Sequence, residues 1–139
     1  MLLELLVATT MILLTVIVHA VGLFLISHLL RVQRVDRDFE YHPLSWKGFG
    51  LTLTMVLSLF VLHGLEIWLY ALLFLWTDAI ETLRTAVYFS TISYAAIGYS
   101  DAAINPRWAL VAAIEGINGL LLLGWSTAFF VTVMQRFKR

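Results

Sequence analysis

No cysteine occurs in the 139-residue chain, which removes disulfides, thiolate metal sites and cysteine nucleophiles together and leaves the redox compartment open. Charge is almost as scarce: 13% of residues are Asp, Glu, Lys or Arg, against about a quarter in an ordinary soluble domain. With 61% hydrophobic residues and a mean hydropathy of +0.91, a water-soluble globule is excluded. Nine basic residues balance nine acidic ones, so the clustered basic surface that a nucleic-acid partner requires is missing. There is no Gly-x-Ser-x-Gly turn, His-Glu-x-x-His pair or phosphate-cradling glycine loop, and the chain reads as a non-enzyme without a cofactor. Arginines at every third position, the mark of a voltage-sensing helix, are absent from the first apolar stretch. The chain shows no internal repeat and no low-complexity tract.

What remains is apolar length. Met1 to Leu30 carries only Glu4, His19 and His28 as ionisable side chains and exceeds the roughly 20 residues a helix needs to cross hydrocarbon. Val18-His19-Ala20 loosely resembles a signal-peptidase site, but no positive segment precedes it, and the stretch reads as a retained anchor. A second apolar stretch runs over 46–76 and a third over 106–135, with tryptophans at the ends where amphipathic rings favour the headgroup zone. The division expected is a peripheral transmembrane helix at 1–30, an amphipathic cytoplasmic linker or plain solvated connector at 31–45, and a second unit at 46–139. Cations flank the first link (Arg31, Arg34, Arg37, Lys47) and end the chain (Arg136, Lys138, Arg139), whereas the second link holds only Arg84 and Arg107. The positive-inside bias therefore puts the C-terminus in the cytoplasm and the N-terminus outside, in an inner or plasma membrane.

The segment from Thr77 to Arg107 is too apolar for a simple outer loop and reads as re-entrant. Asp78 and Glu81 suggest an acidic N-terminus for a short helix over about 80–95, because carboxylates there oppose the helix dipole. Ala96-Ile97-Gly98-Tyr99-Ser100-Asp101 follows, too short to cross again as a helix. Irregular backbone at membrane depth is tolerated where protein buries it or where it lines a wet cavity.

A re-entrant helix, a Gly-Tyr strand, an Asp and a closing helix resemble the pore domain of potassium channels, whose filter reads Thr-Val-Gly-Tyr-Gly. The matching run is Thr91-Ile92-Ser93-Tyr94-Ala95-Ala96-Ile97-Gly98-Tyr99-Ser100-Asp101, and the resemblance covers roughly 46–139: outer helix 46–76, pore helix and filter 78–101, inner helix 106–135. It implies an all-α membrane protein with three transmembrane helices, a re-entrant pore helix and a filter loop, assembled as a homotetramer around a central pore. One loop offers a single column of carbonyls and cannot surround an ion alone. The backbone carbonyls of Ala96, Ile97, Gly98 and Tyr99 would then hold a dehydrated monovalent cation, K+ or also Na+.

The chain departs from this pattern at two filter positions. Ala96 replaces the family's threonine and lacks the hydroxyl that completes the innermost site; Ser100 replaces the second glycine. Potassium permeation with reduced discrimination against sodium is the expectation, and the alternative is a channel-like subunit or interaction protein that does not conduct. The resemblance further assigns Asp101 and Tyr88 to a brace behind the filter, and Gly119, with Gly116 second, to a gating hinge or to close helix packing.

Glu115 and Asn118 lie deep in the third stretch, where ionisable and polar groups are costly. Glu115 is read as filter support accepting from Ser93 or Tyr94 or, equally, as lining the ion path directly, and Asn118 as facing the cavity or a neighbouring subunit. His63 and Glu66, one turn apart, read as a hydrogen-bonded pair more readily than as a metal site, since two ligands on one helix are weak evidence. His19 and His28 are nine apart and face opposite sides of an ideal helix. No soluble sensing domain is expected after Arg139, so gating would come from pH, lipid, tension, an ion or a partner.

Overall fold

The structure, a computed structural model, describes residues 1–32, 45–98 and 101–136. Three long helices, α1 (Leu2–Val32), α2 (Trp46–Trp76) and α4 (Ala109–Arg136), are each long and apolar enough to cross a membrane. Between α2 and α4 lies the short α3 (Leu83–Tyr94), followed by 3-10 turns at Asp101–Ala103 and Pro106–Trp108. At 12 residues α3 rises about 18 Å, well short of the hydrocarbon thickness, so it enters and returns on one side. The expected all-α architecture of three spans and one re-entrant helix is the architecture observed. The 33–44 link lies outside the described residues.

Each helix end has a local cause. Ser45 caps α2 by accepting from the Gly48 amide at 3.1 Å. At the other end Asp78 adopts φ 51°, the Asp78 amide donates to the Leu75 carbonyl at 3.2 Å, and the Ala79 amide reaches back to the Phe74 carbonyl at 2.8 Å. These are the two bonds of a Schellman closure. Asp78 therefore ends α2; it does not begin α3. The helix expected from about Ile80 starts instead at Leu83, capped by Thr82, whose hydroxyl accepts from the Thr85 amide at 3.2 Å. The reason is burial: Ala79 and Ile80 are packed into the core, and the Ala79 carbonyl accepts from the Asn105 amide at 2.9 Å. That bond joins the start of the re-entrant segment to its return. Asn105 then caps the turn into α4, accepting from the Arg107 amide at 3.1 Å with Pro106 in the first turn.

The core has three layers. Toward the α3 end, Met11, Tyr70, Phe74, Ile80, Phe89 and Val111 belong to one apolar cluster. Toward the opposite end, Leu23, Ile26, Leu51, Met55, Leu62 and Val133 form a second. Between them sit buried polar side chains, among them Thr15, His19, Glu66, Asn118 and Ser126, while Leu6, Leu13, Ile17 and Phe24 on α1 are exposed. Polar residues inside and apolar ones outside is the arrangement a lipid solvent selects. On α1 the buried positions Ala8, Met11, Thr15, His19, Leu23 and Ile26 recur at three- and four-residue steps, one face of a helix. A β-carbon on Gly22 would strike the Leu62 side chain, so glycine there permits the approach of α1 to α2.

Candidate ion-conduction site

The C-terminus of α3 delivers the backbone on which the site depends. Ala96 takes φ 55°, its amide donates to the Ser93 carbonyl at 2.9 Å, and the Ile97 amide donates to the Ile92 carbonyl at 3.0 Å. This is a second Schellman closure, with alanine where glycine is usual. The Gly98 amide, at φ 84°, also points to the Ile92 carbonyl, 3.3 Å away. In a trans peptide the C=O of one residue is antiparallel to the N–H of the next. Two successive N–H groups aimed at one acceptor therefore turn the carbonyls of Ala96 and Ile97 together, away from the helix end. Ala96, Ile97 and Gly98 are all exposed on the single chain. Ala96 and Gly98 border an open groove of about 370 Å³, which Ser93 also lines, together with Ala112, Gly116 and Leu120 of α4. Tyr99 and Ser100 lie outside the described residues, as does the Asp101 side chain, so the Tyr88–Asp101 brace falls outside them too. Tyr88 sits on the exposed face of α3, in one shallow groove with Trp68 and Arg84.

The two glycines of α4 meet this backbone directly. A β-carbon on Gly116 would lie 3.0 Å from the Ser93 carbonyl oxygen, and one on Gly119 would overlap the Tyr94 carbonyl oxygen and stand 2.8 Å from its ring. Both positions let α4 touch the end of α3, which is the packing role foreseen as the alternative to a hinge. Gly124 would meet nothing within 4 Å.

Glu115 is fully buried behind α3 and accepts from the Ser90 hydroxyl, one turn before the expected Ser93 or Tyr94. The difference follows from register, because Ser93 and Tyr94 turn their carbonyls to Gly116 and Gly119. The second carboxylate oxygen of Glu115 has no partner among the described residues. Asn118 corrects an expectation. It faces neither cavity nor neighbour but is buried within the chain, where its amide donates to Thr15 at 2.7 Å and to the Tyr70 hydroxyl at 3.2 Å. An amide in hydrocarbon needs partners, and α1 and α2 supply them.

His63 and Glu66 are bonded at 3.1 Å, as their spacing suggested, but they do not act alone. His19 Nδ1 lies 2.8 Å from the other Glu66 oxygen, and the Tyr94 hydroxyl donates to Glu66. Ser126 stands 2.9 Å from His63 Nε2 and 3.4 Å from His19 Nε2. The cluster thus draws one or more side chains from every long helix and from α3. Sequence reasoning missed His19, Ser126, Thr15 and Ser90; for the first three the available signal was that each is polar inside an apolar helix, whereas Ser90 stands among Thr85, Thr91 and Ser93 on α3 and carried no such signal. His28, by contrast, is exposed, as its offset from His19 requires.

The C-terminal end of α3 carries partial negative charge, and two carbonyls turn outward beside it. Searches of curated proteins and of solved structures gave no significant match. A family model described as an ion channel matches residues 53–136, which take in most of α2, all of α3 and its return, and α4. With well over half of its length covered, the chain belongs to the ion channel family and is a multi-pass membrane protein.

Proposed function

We infer that the chain forms a homotetrameric, potassium-permeable cation channel, conducting through the backbone carbonyls of Ala96, Ile97, Gly98 and Tyr99, with discrimination against sodium weakened by Ala96 and Ser100. The observation that carries this reading is the shared direction of the Ala96 and Ile97 carbonyls, which lie in an exposed stretch bordering an open groove. Carbonyl dipoles stacked along one line replace the hydration shell of an alkali cation, and several copies around an axis are needed to close the shell. The small-residue wall of α4 offers a surface on which a second copy can approach closely. The charge distribution along the chain supports a cytoplasmic C-terminus and an external N-terminus in a cell membrane.

The test is flux from liposomes holding the purified protein, with K+, Na+ and Cl− gradients imposed separately and subunits counted in the same preparation. A tetramer passing K+, and Na+ more slowly, is expected. Equal chloride flux would refute the cation pore, and an assembled but silent tetramer would identify a non-conducting channel-like subunit.

A further inference from the structure

The buried cluster of His19, His63, Glu66, Tyr94 and Ser126 shares a countable set of protons. Glu66 Oε1 lies 2.8 Å from His19 Nδ1, and Oε2 accepts from the Tyr94 hydroxyl and lies 3.1 Å from His63 Nδ1, which also stands 3.0 Å from the Tyr94 oxygen; with the Tyr94 proton committed to Glu66, His63 Nδ1 carries a proton of its own. The far nitrogens of both imidazoles converge on a single hydroxyl, that of Ser126. A hydroxyl has one proton to donate and can accept in return. It therefore satisfies both rings when one imidazole offers a lone pair and the other offers an N–H. The closed circuit Glu66, His19, Ser126, His63 is then complete with one proton more than a carboxylate and two neutral imidazoles would hold. That proton is written equally as an imidazolium beside a carboxylate or as a carboxylic acid beside two imidazoles; the total is the same and the circuit is electrically neutral.

Neutrality matters at this depth. His19 and Glu66 are fully buried, each near the middle of a 31-residue apolar helix, where an uncompensated charge is expensive. Removing the proton leaves a net negative charge, and adding a second leaves a net positive one. The groups facing the circuit come from every element: His19 from α1; His63 and Glu66, with Tyr70 a turn further, from α2; Tyr94 from α3; Ser126 and the Trp125 ring, 5.2 Å from His19, from α4. The next carboxylate, Glu115, is engaged by Ser90. Among the described residues no Lys or Arg is bonded to the circuit.

Metal coordination fits less well. The candidate ligand atoms of His19, His63 and Glu66 lie within 4.8 Å of one another. A zinc ion with bonds of about 2.0–2.1 Å spans at most about 4.2 Å between ligands, and each donor already has a protein partner.

The output of the circuit is Tyr94. It is the last residue of α3, its hydroxyl is held by Glu66, its carbonyl is seated on Gly119, and Ala96 stands two residues on. We propose that the His19–Glu66–His63–Ser126 circuit is a one-proton binding site that positions Tyr94, and through it the carbonyls of Ala96 and Ile97, so that gaining or losing a proton loosens the root of the filter. This rests on the channel reading for its effect on conduction, not for the proton itself. These four are positioning residues; none touches the permeant ion.

Two measurements on the full-length protein in liposomes test it. Histidine 15N NMR over a pH series should show His19 and His63 titrating as one coupled unit that disappears in Glu66→Gln. K+ flux should be highest at intermediate pH, fall about tenfold toward either side, and lose that profile in both Glu66→Gln and the milder Ser126→Ala. Independent titration of the two histidines overturns the proton site. Coupled titration with a flat flux profile in a conducting wild type overturns its link to the filter. A wild type without cation flux removes the channel reading, and with it that link, while the NMR still decides the proton site. Stoichiometric binding of Zn2+ or Co2+ that Glu66→Gln abolishes overturns the proposal in favour of a metal centre.

Discussion

Ala96 occupies a left-handed position that costs a non-glycine residue about 1–2 kcal/mol. The absence of threonine here, where the filters this run resembles carry one, thus has a local explanation, because a β-branched side chain is still less tolerant of positive φ. Ala96→Gly is expected to raise stability by up to about 1 kcal/mol and Ala96→Thr to lower it by more than that, measured by SDS-induced unfolding in mixed micelles. Gly119→Ala drives a methyl group into the Tyr94 carbonyl and should cost about 1–3 kcal/mol in the same assay. Gly124→Ala meets open space and should be near neutral. Both are small residues among Leu and Ile in the sequence. Which one touches the end of α3 was not legible there, because that depends on the register between α3 and α4.

At the scale of elements, α1 is tied into the core by more than lipid. Asn118 of α4 donates to Thr15 of α1 at 2.7 Å, and His19 joins Glu66 of α2. Interhelical hydrogen bonds of this kind couple by about 0.6 kcal/mol on average and at most about 2 kcal/mol. A double-mutant cycle of Asn118→Ala with Thr15→Val should return a favourable coupling within that range; zero coupling would mean that the bond does not hold the helices together. The spans were legible from apolar length alone. The start of α3 was not: Asp78 and Glu81 carry a helix-start signature, yet Asp78 serves the end of α2 and Thr82 caps α3. The acidic signal and the Thr82–Thr85 pair compete for the same few residues, and burial of Ala79 and Ile80 decides between them.

The whole molecule is arranged for a solvent that is apolar on every side. Its cations cluster around the first link and at the C-terminus, so a C-terminal tag should be protected and an N-terminal tag exposed when intact cells are treated with protease; the opposite pattern would reverse the orientation read from the charges. The wall of small residues on α4 and the exposed Ala96–Gly98 backbone remain on the surface of one chain, the faces a second copy would cover in the proposed tetramer.

Composition and apolar run lengths by themselves determined that the chain is a membrane protein with three spans and a re-entrant segment, because crossing hydrocarbon demands length and low charge and little else. The family resemblance was legible in one short run of residues for the same reason: a backbone that must stay irregular at depth restricts its own sequence. The meeting of His19, His63, Glu66, Tyr94 and Ser126 was decided only by the tertiary structure. His19 and Ser126 are 107 residues apart, and helices that are apolar all round carry no periodicity to say which face turns inward. Packing chose the face, and with it the partners that make a buried carboxylate affordable.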